Sequence, residues 1–181
     1  MILRVWAPRP DRVELLIHGR RHAAEPAGGG WWAVDVPSAA AGDDYAWSLD
    51  GGPPRPDPRS RDQPEGVHGP SRLVDPSAYR WRRPDWHAPP LSSAVIMELH
   101  VGTFTPEGTL DAAAAKLDHL VDLGVTHVEL MPLNAFDGTF GWGYDGVLWA
   151  APHRPYTGPD GPDAVRRFLD ACHERGLAVL L

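Results

Sequence analysis

The sequence predicts a two-domain protein: a small all-β antiparallel sandwich followed by a parallel β-α-β-α-β segment. Three observations carry this. Over the first 50 residues, short runs rich in Trp, Val, Leu and Ile recur at roughly ten-residue spacing between Gly and Pro turns, as in small sandwiches. After residue 93, apolar runs of strand length alternate with segments of helical period. In that second part the helix-to-strand connections are short and the strand-to-helix connections long, the pattern of α/β folds that carry their sites at strand C-terminal ends.

In the first part, strands are expected at 3–6, 12–18, 31–36 and 45–49. They are punctuated by Ala7-Pro8, Gly19, Gly28-Gly29-Gly30, Pro37 and Asp50-Gly51-Gly52. Trp31 and Trp32 are adjacent on one strand, so one ring faces in. The outward ring could stack on a sugar, but packing against the second domain is the simpler role. Residues 53–90 are rich in Pro, Arg and Asp yet still carry Trp81 and Trp86, which points to an ordered connector lying on the protein. The boundaries drawn are a sandwich over 1–76, a connector over 77–92 and the α/β part over 93–181.

In the α/β part, residues 94–99 form a run of buried-strand type. Leu110, Ala113, Ala114, Leu117, Leu120 and Val121 then fall at i, i+3, i+4, i+7, i+10 and i+11, one face of a single helix. Thr109 suits its N-cap and Gly124 its left-handed end. A second strand over 125–131 stops at Pro132, and a long loop leads to a helix that begins at Pro162. Val165, Phe168, Leu169 and Cys172 make the apolar stripe of that helix, Gly176 ends it, and 177–181 reads as a third strand. An apolar parallel strand with no polar tail at an open edge is an aggregation hazard, so the sequence is expected to be a piece of a longer protein.

Composition excludes several functions. The formal net charge is −7 and the Arg residues are scattered among Asp and Pro, which argues against a nucleic-acid stripe. No window approaches the roughly 20 apolar residues of a membrane helix, and residues 1–10 lack the pattern of a secretory signal. Cys172 is the single cysteine, which fits a reducing, cytoplasmic setting.

Gly141-Trp142-Gly143-Tyr144-Asp145-Gly146 matches the dinucleotide pattern G-x-G-x-x-G in letters only. A pyrophosphate loop must join a strand directly to a helix N-terminus, and this stretch lies some ten residues past the strand with Pro152 following. Two readings remain: an ordered loop with glycines at its turns, towards which chemistry alone leans, or a sugar-binding loop. In the second, Trp142 or Tyr144 offers a flat face to a pyranose and Asp145 accepts hydroxyl hydrogen bonds. Glu98 with His100, and His127 with Glu129, lie two apart on strands and could hold a metal or do acid–base work. Hydrogen bonding among themselves or to the long loops is the simpler role.

The residues carry a resemblance. Val5-Trp6-Ala7-Pro8 and Asp44-Tyr45-Ala46-Trp47 resemble the β-sandwich that precedes the barrel in α-amylase-superfamily enzymes. The stretch Pro58-Arg59-Ser60-Arg61-Asp62-Gln63-Pro64-Glu65-Gly66-Val67-His68-Gly69-Pro70-Ser71 is more specific. So are Glu98-Leu99-His100-Val101-Gly102-Thr103-Phe104-Thr105, Glu129-Leu130-Met131-Pro132 and Gly141-Trp142-Gly143-Tyr144-Asp145-Gly146-Val147. Together they resemble the malto-oligosyltrehalose trehalohydrolase family over nearly the whole chain, with branching and debranching enzymes a poorer match in the connector. The resemblance implies an immunoglobulin-like sandwich followed by the first β-α-β-α-β portion of a (β/α)8 barrel. It implies hydrolysis of the α-1,4 bond beside the terminal trehalose of malto-oligosyltrehalose, with retention. Retaining chemistry uses two carboxyl groups roughly 5–5.5 Å apart, which the family places on later barrel strands. No residue of this chain is therefore assigned a catalytic role, and Glu98, Glu129 and Asp145 are not promoted to one. Tyr144 matches the position of the aromatic beneath the sugar at the cleavage site, and Asp145 its neighbour. No metal or organic cofactor is implied; the implied partner is malto-oligosyltrehalose or a related α-glucan.

Overall fold

The computed structural model describes residues 1–181. The first part is two antiparallel sheets. One has the order β1-β5-β4, built from β1 (Ile2–Trp6), β4 (Glu25–Pro26) and β5 (Trp31–Asp35). The other has the order β3-β2-β6-β7, built from β2 (Val13–Ile17), β3 (Arg20–Ala23), β6 (Asp44–Leu49) and β7 (Ser71–Arg72). Period-2 alternation turns Leu3 and Val5, and Val13, Leu15 and Ile17, into one core with Tyr45 and Trp47. The short strands β3, β4 and β7 escape the sequence expectation because they carry no apolar run. The turn from β2 to β3 explains the pairing: His18 and Gly19 both take positive φ, 51° and 68°, the two-residue hairpin geometry whose twist matches the strands.

Trp32 packs against this core and donates from Nε1 to the Ala7 carbonyl at 2.9 Å. Trp31 lies beneath the Arg59 guanidinium, 5.4 Å from the ring centroid, so a later segment of the first part covers the outward ring, which was expected to meet the second domain.

The second part is a parallel sheet of order β12-β9-β8, from β8 (Ile96–Leu99), β9 (His127–Leu130) and β12 (Ala178–Leu180). Its register places Glu98 opposite Glu129, and Glu129 opposite Leu180. Helices α1 (Val101–Phe104), α2 (Leu110–Ala114), α3 (Leu117–Asp122), α4 (Arg154–Thr157) and α5 (Pro162–Glu174) accompany it. Leu110, Leu117, Leu120, Phe168 and Cys172 join Leu99, Val128 and Leu130 in the second core.

The helix expected from Leu110 to Val121 is interrupted at Ala115–Lys116, where Lys116 N–H bonds to the Ala113 carbonyl at 3.0 Å, a tighter i to i+3 turn. The apolar face stays aligned across the break, but Val121 falls outside it and is 41% exposed. The long loop after β9 contains a further antiparallel pair, β10 (Asn134–Ala135) and β11 (Leu148–Pro152). The connector is ordered and lies on α5: Tyr79 Oη donates to the buried Asp170 carboxylate at 2.7 Å, and the Trp86 ring stacks on His173 at 3.9 Å. No helix is long and apolar enough to cross a membrane.

Candidate functional site

The glycine loop joins β10 to β11 and no helix follows it, so the dinucleotide reading fails on context. Its three motif glycines have a different purpose. A Cβ on Gly141 would lie 2.8 Å from the Phe136 ring, one on Gly143 would lie 3.0 Å from Pro132 Cδ, and one on Gly146 would lie 2.7 Å from Asn134 Cβ. Gly143 also takes φ +94°, which L side chains rarely adopt. The loop is pressed against the residues that follow β9, and only glycine permits the approach.

His100, at the end of β8, fixes it further. Its Nε2 lies 2.8 Å from the Gly141 carbonyl. A carbonyl only accepts, so Nε2 carries the proton, and Nδ1 is left to accept from Thr103 Oγ1 at 3.3 Å. Gly102 leaves room for this ring and for Tyr156, since its Cβ would come within 3.0 Å of both. Phe136, under Gly141, stacks on His153 at 3.7 Å with the planes 14° apart. His153 is buried, burial lowers its pKa, and its Nε2 has no hydrogen-bond partner.

This anchoring turns side chains outward. Trp142 is 80% exposed and Tyr144 77%, and Asp145 is exposed between Tyr144 and the packed Gly146. The three residues singled out from sequence therefore share one surface loop. Phe140 and Trp149 are exposed beside them. The sequence reading missed both: Phe140 lies outside the glycine motif, and the run from Leu148 to Pro152 has no clean alternation to mark a strand. Next to the loop, at the C-terminal ends of β9 and β12, runs an apolar groove of about 550 Å3 whose lining includes Met131, Pro132, Trp149, Val165 and Leu181.

The alternative metal cluster does not assemble. Glu98 and Glu129 are neighbours in register and exposed, but His100 is taken up by Gly141, and His127 Nδ1 sits 2.8 Å from Thr126 Oγ1. No group of three or more His, Cys, Asp or Glu side chains is placed to hold a metal ion. Cys172 is buried in the second core, and burial raises its thiol pKa to about 12, which leaves it unreactive.

Comparison with known proteins shows what the chain is similar to, first at the level of a class. The chain superposes on a crystal structure from Salmonella typhimurium assigned to the alpha amylases with a TM-score of 0.94 and 45% identity, covering 98% of this chain and 30% of that one. Curated relatives at 44–54% identity over at least 97% of the chain are malto-oligosyltrehalose trehalohydrolases. The Arthrobacter ramosus enzyme is 54% identical over 181 residues, 97% of this chain and 31% of that protein. A 1,4-alpha-glucan branching enzyme of Xanthomonas euvesicatoria pv. vesicatoria is more distant at 30% identity, covering 98% of this chain and 27% of its own length. The chain thus spans about a third of the length of the curated relatives it matches. No family model matches it.

Proposed function

We propose that this chain is part of a glycoside hydrolase that cleaves the α-1,4 bond next to the terminal trehalose of malto-oligosyltrehalose, with retention, and that its glycine loop contacts the glucan. The observation that carries this is the loop itself: Trp142, Tyr144 and Asp145 stand exposed on a backbone held from beneath by Phe136, Pro132 and His100. Exposed aromatic faces lose little conformational entropy on stacking, and a fixed backbone means the binding free energy need not order the loop. The identity to malto-oligosyltrehalose trehalohydrolases supports the substrate, and the weaker match to a branching enzyme counts against that alternative.

The same reading divides the chain into an immunoglobulin-like sandwich over 1–76, a connector over 77–92 and the opening β-α-β-α-β portion of a (β/α)8 barrel over 93–181. The paired carboxylates of a retaining mechanism belong to later strands of such a barrel, so the 181 residues alone are inactive. No residue here is given a metal or cofactor, and the setting is cytoplasmic. The test is calorimetric titration of the chain with malto-oligosyltrehalose and with maltohexaose, beside Tyr144→Ala and Trp142→Ala. Binding that weakens in Tyr144→Ala is expected. Binding indifferent to both substitutions removes the loop from the site, and trehalose released by the chain alone refutes its inactivity.

A further inference from the structure

Residues 57–71, at the end of the first part, do more than complete its fold. Residue Asp57 is buried and accepts from Tyr45 Oη at 3.1 Å and from Trp47 Nε1 at 3.3 Å, both core residues of the two-sheet part. Its own N–H donates to Ser71 Oγ at 2.9 Å, and Ser71 donates on to Gln63 Oε1 at 2.9 Å. Each of these buried polar groups has its partner, so the network holds residues 57–71 in one shape against the first core.

From that fixed base two buried contacts reach the second part, beside an exposed pairing of His68 Nε2 with Asp137 Oδ2 at 3.8 Å. Asp62 Oδ1 lies 3.2 Å from Arg154 Nη2, with both side chains largely withdrawn from water, and Arg154 Nη1 donates to the Gly158 carbonyl at 2.8 Å. The approach needs Gly161, whose Cβ would stand 2.8 Å from Asp62 Oδ1. Val67 is the second contact. It is buried in a small apolar cluster with Ala135, Leu148 and Ala151. Ala135 belongs to β10 and the other two to β11, the two strands whose connection is the loop bearing Trp142, Tyr144 and Asp145. Between residues 57–71 and the hairpin lies a cavity of about 250 Å3, walled in part by Gln63, Val67, Phe136 and His153.

We propose that residues 57–71 are a positioning element for the glucan-facing loop, with Asp62 and Val67 as the residues that transmit the placement of the first core to the base of the β10–β11 hairpin. Neither residue faces the glucan. Both act through the hairpin: Val67 by filling the gap behind Ala135 and Leu148, Asp62 by holding the turn after β11 through Arg154. The inference rests on the loop being the glucan contact proposed above.

The experiment uses the 181-residue chain, with amide hydrogen exchange resolved by segment and maltohexaose titration. Asp62→Asn keeps the shape and removes the charge, Arg154→Gln removes its partner, and Val67→Ala withdraws the apolar contact without touching any charge. Each single variant is expected to speed exchange in residues 134–152 while β2 and β6 stay protected. Each is also expected to weaken maltohexaose by about fivefold or more, the lower end of ordinary coupling between sites. The double variant of Asp62→Asn with Arg154→Gln should recover part of both losses, because no charge is then left unpaired. Unchanged exchange over 134–152 in Asp62→Asn and Val67→Ala overturns the inference, as does exchange that rises equally throughout the chain in both. A wild-type chain that binds no maltohexaose removes the glucan reading instead, and the exchange data still decide the positioning role.

Discussion

The two parts of the molecule solve the same problem with different means. In the first, each sheet covers the other, and three of the four flanking strands are short or charged: β4 and β7 have two residues each, and β3 carries Arg20 and Arg21, while the fourth, β1, has Arg4 at its centre. In the second, helices cover one face of a parallel sheet whose outer strands, β8 and β12, each pair on one side only. Ile96 is 45% exposed there, and Glu98 and Glu129 share the same uncovered face. Parallel sheets are ordinarily covered on both faces. The first core is closed by two sheets facing each other, whereas the second lies between a sheet and a single helix layer and leaves one face of that sheet uncovered.

The largest test of this contrast removes one fully buried side chain from each core. Trp47 is 2% exposed, and Trp47→Ala should cost about 3–5 kcal/mol through the lost packing, with Asp57 losing a donor besides. Leu120→Ala, at a residue with no exposure, should cost about 2–5 kcal/mol. Denaturant unfolding followed by segment-resolved exchange should show each loss confined to its own part, with the second part opening first. A single coincident transition shifted alike by both substitutions would show one cooperative body and erase the distinction.

A smaller, local effect is expected where the second part presents its loop. Gly143→Ala must adopt φ near +94° and meets Pro132, a ring and backbone that cannot swing aside. Strain of this kind costs about 1–3 kcal/mol. It should appear as faster exchange over residues 141–147 and weaker maltohexaose binding, with β2 and β6 unaffected. An unchanged loop would mean that its placement does not depend on the glycine.

The order of elements was legible because it is written in period and punctuation. Short apolar runs between Gly and Pro turns marked β1, β2, β5 and β6, and the positions of Leu110, Leu117, Leu120, Phe168 and Cys172 marked the helix faces. Val121 fits the same period but lies at the margin of the stripe, where a few degrees decide burial, and it is exposed. Trp142, Tyr144 and Asp145 were nameable from their own chemistry and the motif around them. The supports beneath them were not. His100 meets Gly141 across 41 residues, and Asp62 meets Arg154 across a longer stretch still, so no local pattern records either contact.

Acidity separates the two parts most finely. Burial holds the pKa of His153 below its ordinary value of about 6.5, and burial does the same to His173 against Trp86. Above that ordinary value both states are neutral and nothing is lost. As pH falls through about 6.5 the unfolded chain takes up protons that the folded chain refuses, so stability falls, and it continues to fall until the folded pKa is reached. In the first part the shifted carboxylates are Asp43, lowered by the Ala40 N–H and then by His18, Asp75, lowered by Ser77, and Asp62, raised by burial; the contribution of the two lowered groups is lost only as pH drops below the ordinary carboxylate range. Between pH 7.5 and 5.5, protection factors, with the intrinsic pH dependence of amide exchange divided out, should therefore fall in α5 and the β10–β11 hairpin while those of β2 and β6 hold. His153→Phe keeps a ring on Phe136 and removes both the titrating group and the unpartnered Nε2. It should reduce the acid sensitivity of the hairpin and leave His173 to account for the remainder. If the hairpin of this variant responds to pH as the parent does, His153 is not the group that makes the second part the more acid-sensitive of the two.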